Sequence, residues 1–472
     1  MFLIAQRVTI ENFHGETVVH PLGLLALMVA GALVLFGPRS KMLIPIFIFF
    51  YLVPSAQRIT IATLDFSFIR ILLLAAFTRV LFLPASERRI TFTGIDLFPI
   101  LLCVAYAYSG GFRNGLAGGF ISEVGAAIDI ACSYFLGRFL IRSVEDLKRA
   151  LLVTLFAAIP TAMMMLLESS TGRNLFAVFG GISFNTLIRE GELRCQGPFA
   201  HPILAGLMWG LLLPFVWADF RSSANWSSRT RALVLGFFVT TVVILSRSST
   251  PVLAGGIALV GCVAYPIRNQ FRMLKWILLA GIIFLHFAMD KGAHHLLARI
   301  NVIAGSTGWH RYALMDGAIS HMSEWWAVGA NSSGHWGRGL QDVTNYFVFH
   351  GLQGGIIALG SFCALLVCVL NSVGRAVRQA CTNEHGYWIW AGGVFVATAS
   401  LSFISVTPFG QSIAIFFLIL GSVAGASTSE IRLSATLRGR RSQVRREPSP
   451  QSPEGIVAAN GRPVSTAGRS LP

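Results

Sequence analysis

The chain has 472 residues, of which 54% are hydrophobic and 12% charged, with a formal net charge of +16 and a mean hydropathy of +0.66. Soluble domains carry roughly 25% charged residues, so too little polar surface is present to cover a water-soluble fold. Apolar stretches recur along almost the whole length, which argues against a soluble domain on one anchor and against reading the basic charge as a nucleic-acid surface. Lipid is the expected solvent.

A hydrocarbon core of about 30 Å needs about 20 mostly apolar helical residues. In chain order the candidate spans are 21–37, 42–54, 66–83, 95–109, 120–141, 150–167, 198–218, 232–245, 251–265, 274–289, 343–370, 387–405 and 412–425. Several are short, and 42–54 reads as re-entrant or merged with a neighbour. The fold class expected is an all-α polytopic membrane protein with about 11 to 13 transmembrane helices, forming one domain over 1–429. Residues 430–472, rich in Arg, Ser and Pro, read as a disordered cytoplasmic tail. The amino end lacks a basic region followed by an apolar core and cleavage site, so no signal peptide is expected. The cysteines Cys103, Cys132, Cys195, Cys262, Cys363, Cys368 and Cys381 form no CxxC pair or metal spacing. They read as small buried hydrophobes, with neither a disulfide framework nor a zinc site.

The loops alternate in charge. One set carries Arg39 and Lys41, Arg88 and Arg89, Arg138 to Arg149, Arg221 to Arg231, Arg268 to Lys275, and Arg375 and Arg378. The positive-inside rule makes that side cytoplasmic. The opposite short loops hold single arginines, Arg58, Arg113 and Arg247, and two longer polar segments, 168–197 and 290–342, fall outside. Within the spans Arg70, Arg79, Glu123 and Asp129 are ionisable and are expected to pair inside the bundle, Arg70 with Asp129 being one choice. An ion pair and a proton relay are both open readings.

A transporter would gather its polar residues at the bilayer midplane in matched halves. Here they lie in the outer loops and at outer helix ends, with no internal repeat, which favours an enzyme working at the outer surface. Three arginines share that boundary. Arg194 precedes a span opening at Pro198, Arg247 precedes one that Thr250 can cap and Pro251 can open, and Arg311 lies just after Ser306 and Thr307, either of which can cap a surface helix. A helix amino end with a guanidinium beside it suits phosphate. The alternative is arginines that only snorkel to lipid headgroups. The second outer loop also holds His294, His295, His310, His321 and His335, with Trp309, Trp325, Trp326 and Trp336. No metal pattern such as HExxH occurs among these histidines, and the tryptophans suit either interfacial packing or stacking on sugar rings. Residues 329–345, GANSSGHWGRGLQDVTN, form a glycine-rich polar loop ahead of a span, as functional loops and ordinary flexible ones both do.

The order RCQGPFAHP, SRSS, WHRYALMDGAI and GRGLQDVTNYFVFHGLQGG, over Arg194 to Gly355, resembles the O-antigen ligase and polymerase superfamily, most closely its exopolysaccharide-polymerase branch. The resemblance implies a membrane glycosyltransferase of the bacterial inner membrane, with a long outer loop between late spans. It acts without cofactor or metal on a glycan carried by undecaprenyl diphosphate. Arg194, Arg247 and Arg311 would bind the diphosphate and stabilise it as it departs, while an acceptor hydroxyl of a glycan or lipid attacks the anomeric carbon with inversion. His201, Trp309 and Asn345 are the substrate-binding candidates. Ligases of the superfamily carry a His-Asn pair before the span after the long loop, and here it reads Thr344-Asn345. That departure leaves Asp342 and His335 as substitute bases and tilts the expectation from ligase towards polymerase. A ligase, or a transporter or flippase using the intramembrane charges, are the alternatives. Other polysaccharide-assembly proteins are the partners such an enzyme would have.

Overall fold

The computed structural model describes residues 17–61, 64–84, 87, 91–270, 273, 276–277, 280–281, 283–285 and 308–444, with backbone alone for 116–118 and 439–444. The apolar runs fold as helices: α1 (Pro21–Phe36), α2 (Leu43–Leu52), α3 (Phe68–Phe82), α4 (Leu97–Asn114), α5 (Ile121–Leu140), α6 (Val144–Phe156) and α7 (Ala158–Thr171). They continue as α8 (Pro202–Gly210), α9 (Leu213–Ser222), α10 (Trp226–Leu245), α11 (Ser249–Val263), α12 (Gly308–Ser320), α13 (Met322–Trp325), α14 (Tyr346–Arg378), α15 (Asn383–Ser402) and α16 (Gln411–Val444). Two small antiparallel hairpins interrupt them, β1 (Arg58–Ile61) with β2 (Leu64–Ser67), and β3 (Leu187–Arg189) with β4 (Glu192–Arg194). Among the described residues, six helical stretches are long and apolar enough to cross a membrane: Gly94–Asn114, Val144–Thr171, Pro202–Ser222, Trp226–Leu245, Tyr346–Arg378 and Gln411–Arg438. The chain is an all-α, multi-pass membrane protein.

Local chemistry explains the boundaries and where they differ from expectation. Ser143 accepts a hydrogen bond from Asp146 N at 3.1 Å and starts α6 there, so the span expected at 150–167 begins earlier and takes in Lys148 and Arg149. It is also broken, at Ala157. The span expected at 198–218 is α8 and α9, opened by Pro202 rather than Pro198 and broken at Leu211–Leu212. The run 42–54 becomes α2, whose ten residues rise only about 15 Å. Phe47, Phe50 and Tyr51 are fully buried on it, so α2 is a half-depth helix inside the bundle. The last helix continues past residue 430 to Val444. Residues 445–472 lie outside the described residues, and the span expected at 274–289 does so for the most part.

α16 is the central helix. Ile415, Phe416, Phe417, Leu418, Ile419 and Leu420 are all fully buried on it, and a helix apolar on every side belongs in the interior. It meets α5 at backbone contact: a methyl group added at Gly421 would sit 2.0 Å from Tyr134 O, and one at Gly137 2.2 Å from Leu418 O. Small residues at helix crossings permit this approach in lipid.

Polar links sort the connections to two ends. At one end Arg39 donates to the carbonyls of Phe139 and Leu140 at 3.1 and 3.0 Å, Lys148 pairs with Glu384, and Arg432 reaches Thr91. At the other, Gln411 donates to Phe50 O at 3.2 Å and Pro198 O at 3.3 Å. Among the described residues, the basic connections around Arg39, Lys148 and Arg432 thus lie at the end of the bundle opposite Gln411. The intramembrane charges are accounted for too. Arg70 grips Asp129 bidentately, Nε to Oδ1 at 3.0 Å and Nη2 to Oδ2 at 2.7 Å, Arg79 donates to the carbonyls of Val34 and Gly37 at the end of α1, and Glu123 faces Arg113 at 4.0 Å. Arg138, expected in a loop, is buried and donates to Asp96 Oδ1 at 3.0 Å, which Tyr134 OH also reaches at 3.0 Å.

That last pair makes a direct test. Asp96→Ala leaves the Arg138 cation buried and alone and is expected to cost about 3–5 kcal/mol, read as a lowered melting temperature in detergent. The double variant Asp96→Leu with Arg138→Met, which removes both charges, is expected to recover most of it. Equal losses in both would assign the cost to packing.

Candidate functional site

The site is built where α7 ends. Glu168 is buried in the last turn of that helix, and its carboxylate accepts from Gln196 N at 3.1 Å, Gly197 N at 3.0 Å and Thr186 Oγ1 at 3.3 Å. Asn174 adds a bond from its amide to Gly197 O at 2.8 Å. Between these anchors the chain makes the β3–β4 hairpin, whose turn residues Glu190 and Gly191 both have positive φ, 54° and 80°. Two consecutive positive-φ residues make the turn that matches strand twist in a two-residue hairpin. The hairpin ends on Arg194, 5% exposed.

Cys195 N donates to Leu245 O at 3.1 Å, bringing the break between α10 and α11 alongside. Gly206 of α8 is pressed against that break: a methyl there would lie 2.3 Å from Ser246 Oγ. At the break stands Arg247, exposed and with φ 43°, a left-handed conformation that a non-glycine residue adopts at a cost. Arg247 Nη1 lies 3.5 Å from Glu192 Oε2. α11 then starts at Ser249, with Ser248 in the cap position making no side-chain capping bond. Thr250 is therefore not a cap. It sits in the first turn, where its hydroxyl receives Arg311 Nη2 of α12 at 3.5 Å. Ser306 and Thr307 lie outside the described residues.

Arg194 is thus tied through Cys195 to the α10–α11 break, Arg247 stands at that break, and Arg311 reaches Thr250 just beyond it. Burial, and then the neighbouring charge of Arg189, pushes the Arg194 guanidinium down to about 10, and burial lowers Arg311. Both remain cationic at neutral pH. Their Nε groups are buried without a hydrogen-bond partner, and among the described residues neither arginine has a carboxylate at ion-pair distance. Such a cluster is positive charge awaiting an anion.

His201 caps α8 through Nδ1, which accepts from Ile203 N at 3.1 Å, and Pro202 fills the first helical position. Because Nδ1 accepts, the proton sits on Nε2. Burial, then the charges of Arg194 and Arg189, pushes this imidazole down to about 4, so it stands neutral beside the arginines.

The other expected residues divide. Asp342 is near: His310 Nε2 donates to its backbone carbonyl at 3.0 Å, tying α12 to the segment before α14. Asn345 caps α14 through its amide oxygen, accepting from Phe347 N at 2.9 Å and Val348 N at 3.2 Å. His335 is engaged by Glu324, at 2.7 Å, rather than by anything in the arginine cluster. Trp309 is 66% exposed beside Tyr312. Trp325 is buried and donates to Ala318 O at 2.8 Å, and Trp326 is exposed. His294 and His295 lie outside the described residues.

Sequence reasoning missed Glu168, Arg189 and Glu192, whose roles depend on the hairpin. It also missed the break in α14, where Gly354 (φ −145°, ψ 21°) and Gly355 (φ 66°, ψ −163°) leave the helical path. The freed groups are taken up by the segment between α13 and α14: Ala330 N donates to Leu352 O at 2.9 Å and Ile356 N to Trp326 O at 2.7 Å. Arg113 closes the junction, donating to Gln353 O at 3.0 Å and Asn331 Oδ1 at 3.1 Å. A paired glycine inside an apolar run was the available signal.

The chain matches no family model and no curated protein.

The neutral cap has a pH signature. The folded pKa of His201 lies below the ordinary value near 6.5, so the unfolded chain binds the proton first as pH falls. Stability is therefore expected to drop as pH falls from about 6.5 towards 4. His201→Asn, which keeps an N-cap oxygen, should flatten that part of the melting-temperature profile in detergent.

Proposed function

We propose that this protein is a membrane-embedded glycosyltransferase that polymerises oligosaccharide repeats carried on a lipid diphosphate, undecaprenyl diphosphate in the bacterial inner membrane. The observation that carries the reading is the convergence of Arg194, Arg247 and Arg311, two of them lowered by burial and unpaired. The motif order from Arg194 to Gly355, which resembles the O-antigen ligase and polymerase superfamily, names the anion as the diphosphate. The arginine-rich opposite end is then cytoplasmic, with the carboxyl end of α16, and the cluster faces the periplasm. The full topology of this reading has about 11 to 13 spans, shorter helices and α2 included.

In this mechanism the arginines hold the diphosphate through charge-assisted, partly bidentate bonds. They act most strongly as the glycosidic bond to phosphate breaks and negative charge grows on the leaving oxygen. Arg247, exposed and parked against Glu192, is the one free to swing onto the incoming group. Neutral His201 supplies an Nε2–H donor without competing for the anion. The acceptor hydroxyl attacks from the opposite face of the sugar, and the carboxylate of Asp342, without a hydrogen-bond partner among the described residues, is the group before α14 that stands available to take its proton. Pairing of Arg70 with Asp129, and of Glu123 with Arg113, supports an enzyme over a transporter that would need those charges free.

Alanine at Arg194, Arg247 or Arg311 is expected to reduce long-chain glycan at least about 100-fold while leaving the protein in the membrane. Arg194→Lys should rescue little, since a lysine loses the bidentate grip. Surface glycan on a gel, with lipid-linked intermediates by mass spectrometry, reads both. Single repeats accumulating on the carrier are expected; normal chains in all three alanine variants would reject the reading, and long chains left unattached would assign ligase.

A further inference from the structure

A second cluster lies at the far end of α12 from Arg311. Trp336 is laid on that helix end: a methyl added at Gly317 would lie 3.3 Å from Trp336 Cβ, and the ring of His321 stacks on the indole at 5.6 Å with an interplanar angle of 14°. Glu324 Oε2 accepts from both His335 Nε2 at 2.7 Å and Trp336 Nε1 at 3.1 Å. Those two donors, Trp336 first, hold its carboxyl below the usual range.

The protonation pattern follows from the partners. A carboxylate can only accept, so His335 carries a proton on Nε2, and the neutral ring leaves a lone pair at Nδ1. A carbonyl can only accept, so His321 donates from Nδ1 to Gly317 O at 2.9 Å and exposes a lone pair at Nε2. Glu324 Oε1 is a third acceptor, and none of the three has a hydrogen-bond partner among the described residues. Acceptors around a half-buried aromatic ring, one of them a carboxylate oxygen, disfavour an anion and fit a neutral molecule rich in hydroxyl donors and apolar C–H faces. Among the described residues no group of His, Cys, Asp or Glu is set to hold a metal ion.

We infer that Trp336, His321, Glu324 and His335 form a saccharide-binding subsite that holds the repeat unit a few rings beyond the diphosphate. The position comes from α12 itself. Arg311 and Gly317 stand on one helix, six positions and so about 9 Å apart along its axis. The helix thus places the anion cluster and the hydroxyl-binding cluster at a set separation, as a diphosphate-linked glycan needs. The assignment of the glycan as the diphosphate's cargo rests on the proposed function, whereas carbohydrate binding by the cluster does not.

The test uses the full-length protein in nanodiscs, with two probes measured separately: a glycan array of neutral oligosaccharides, and inorganic pyrophosphate. The wild type is expected to bind a subset of the array. Trp336→Ala and Glu324→Gln are each expected to weaken that binding about tenfold while keeping pyrophosphate affinity, and Arg311→Ala is expected to do the reverse. Glu324→Gln preserves shape and guards against a misfolded tryptophan variant. Pyrophosphate binding with no glycan bound by the wild type would overturn the subsite and leave the diphosphate reading standing. Glycan binding unchanged in both cluster variants would overturn it as well, assigning Trp336 to packing. Glycan binding lost in the cluster variants with no pyrophosphate bound by any protein would uphold the subsite and remove the diphosphate reading.

Discussion

The arrangement of the end that carries Arg194 turns on one buried carboxylate. Glu168 closes α7 and takes up the backbone of residues 196 and 197 together with the Thr186 hydroxyl. A carboxylate removed from water needs its lone pairs filled, and here backbone N–H groups fill them. The geometry that results turns the chain through the hairpin, delivers Arg194 to the interior, and sets Cys195 against the end of α10. Asn174, bonded to Gly197 O, and Gln411, bonded to Pro198 O, fix the same segment from two further sides.

The same logic governs the broken helices. In a bilayer, backbone groups released by a break must find partners in protein. At Gly354 and Gly355 they find them in residues 326–330, ahead of α14, so that segment is structurally part of the helix bundle. Arg113 and Asn331 fasten the same junction from α4. The loop that carries the aromatic and histidine cluster is therefore referenced to the helices on one side and, through His310 and Asp342, to the arginine site on the other.

Hydropathy made the helices legible, because the need for long apolar runs in lipid leaves few alternatives. The starts were less so. Pro198 and Pro202 are both compatible with a first helical turn, and only the cap by His201 separates them. Thr250 had the chemistry of a cap, but α11 begins two residues sooner. Arg194, Arg247 and Arg311 could be read from their place beside helix ends, whereas Glu168 and Glu192 could not, since their partners lie in a fold no local pattern announces. Asn345 shows what a motif does not announce: its amide oxygen caps α14. Arg138 shows the limit of charge counting, because a loop cation and one buried against Asp96 look alike in sequence.

The left-handed backbone at Arg247 has a consequence for engineering. Glycine or asparagine would occupy that conformation at lower cost, so a selection for thermal resistance alone would favour replacing this arginine. In the proposed reaction the same exchange removes a cation from the cluster. Under that proposal stability and turnover pull position 247 in opposite directions, and a variant hardened there would fold well and lose the proposed reaction.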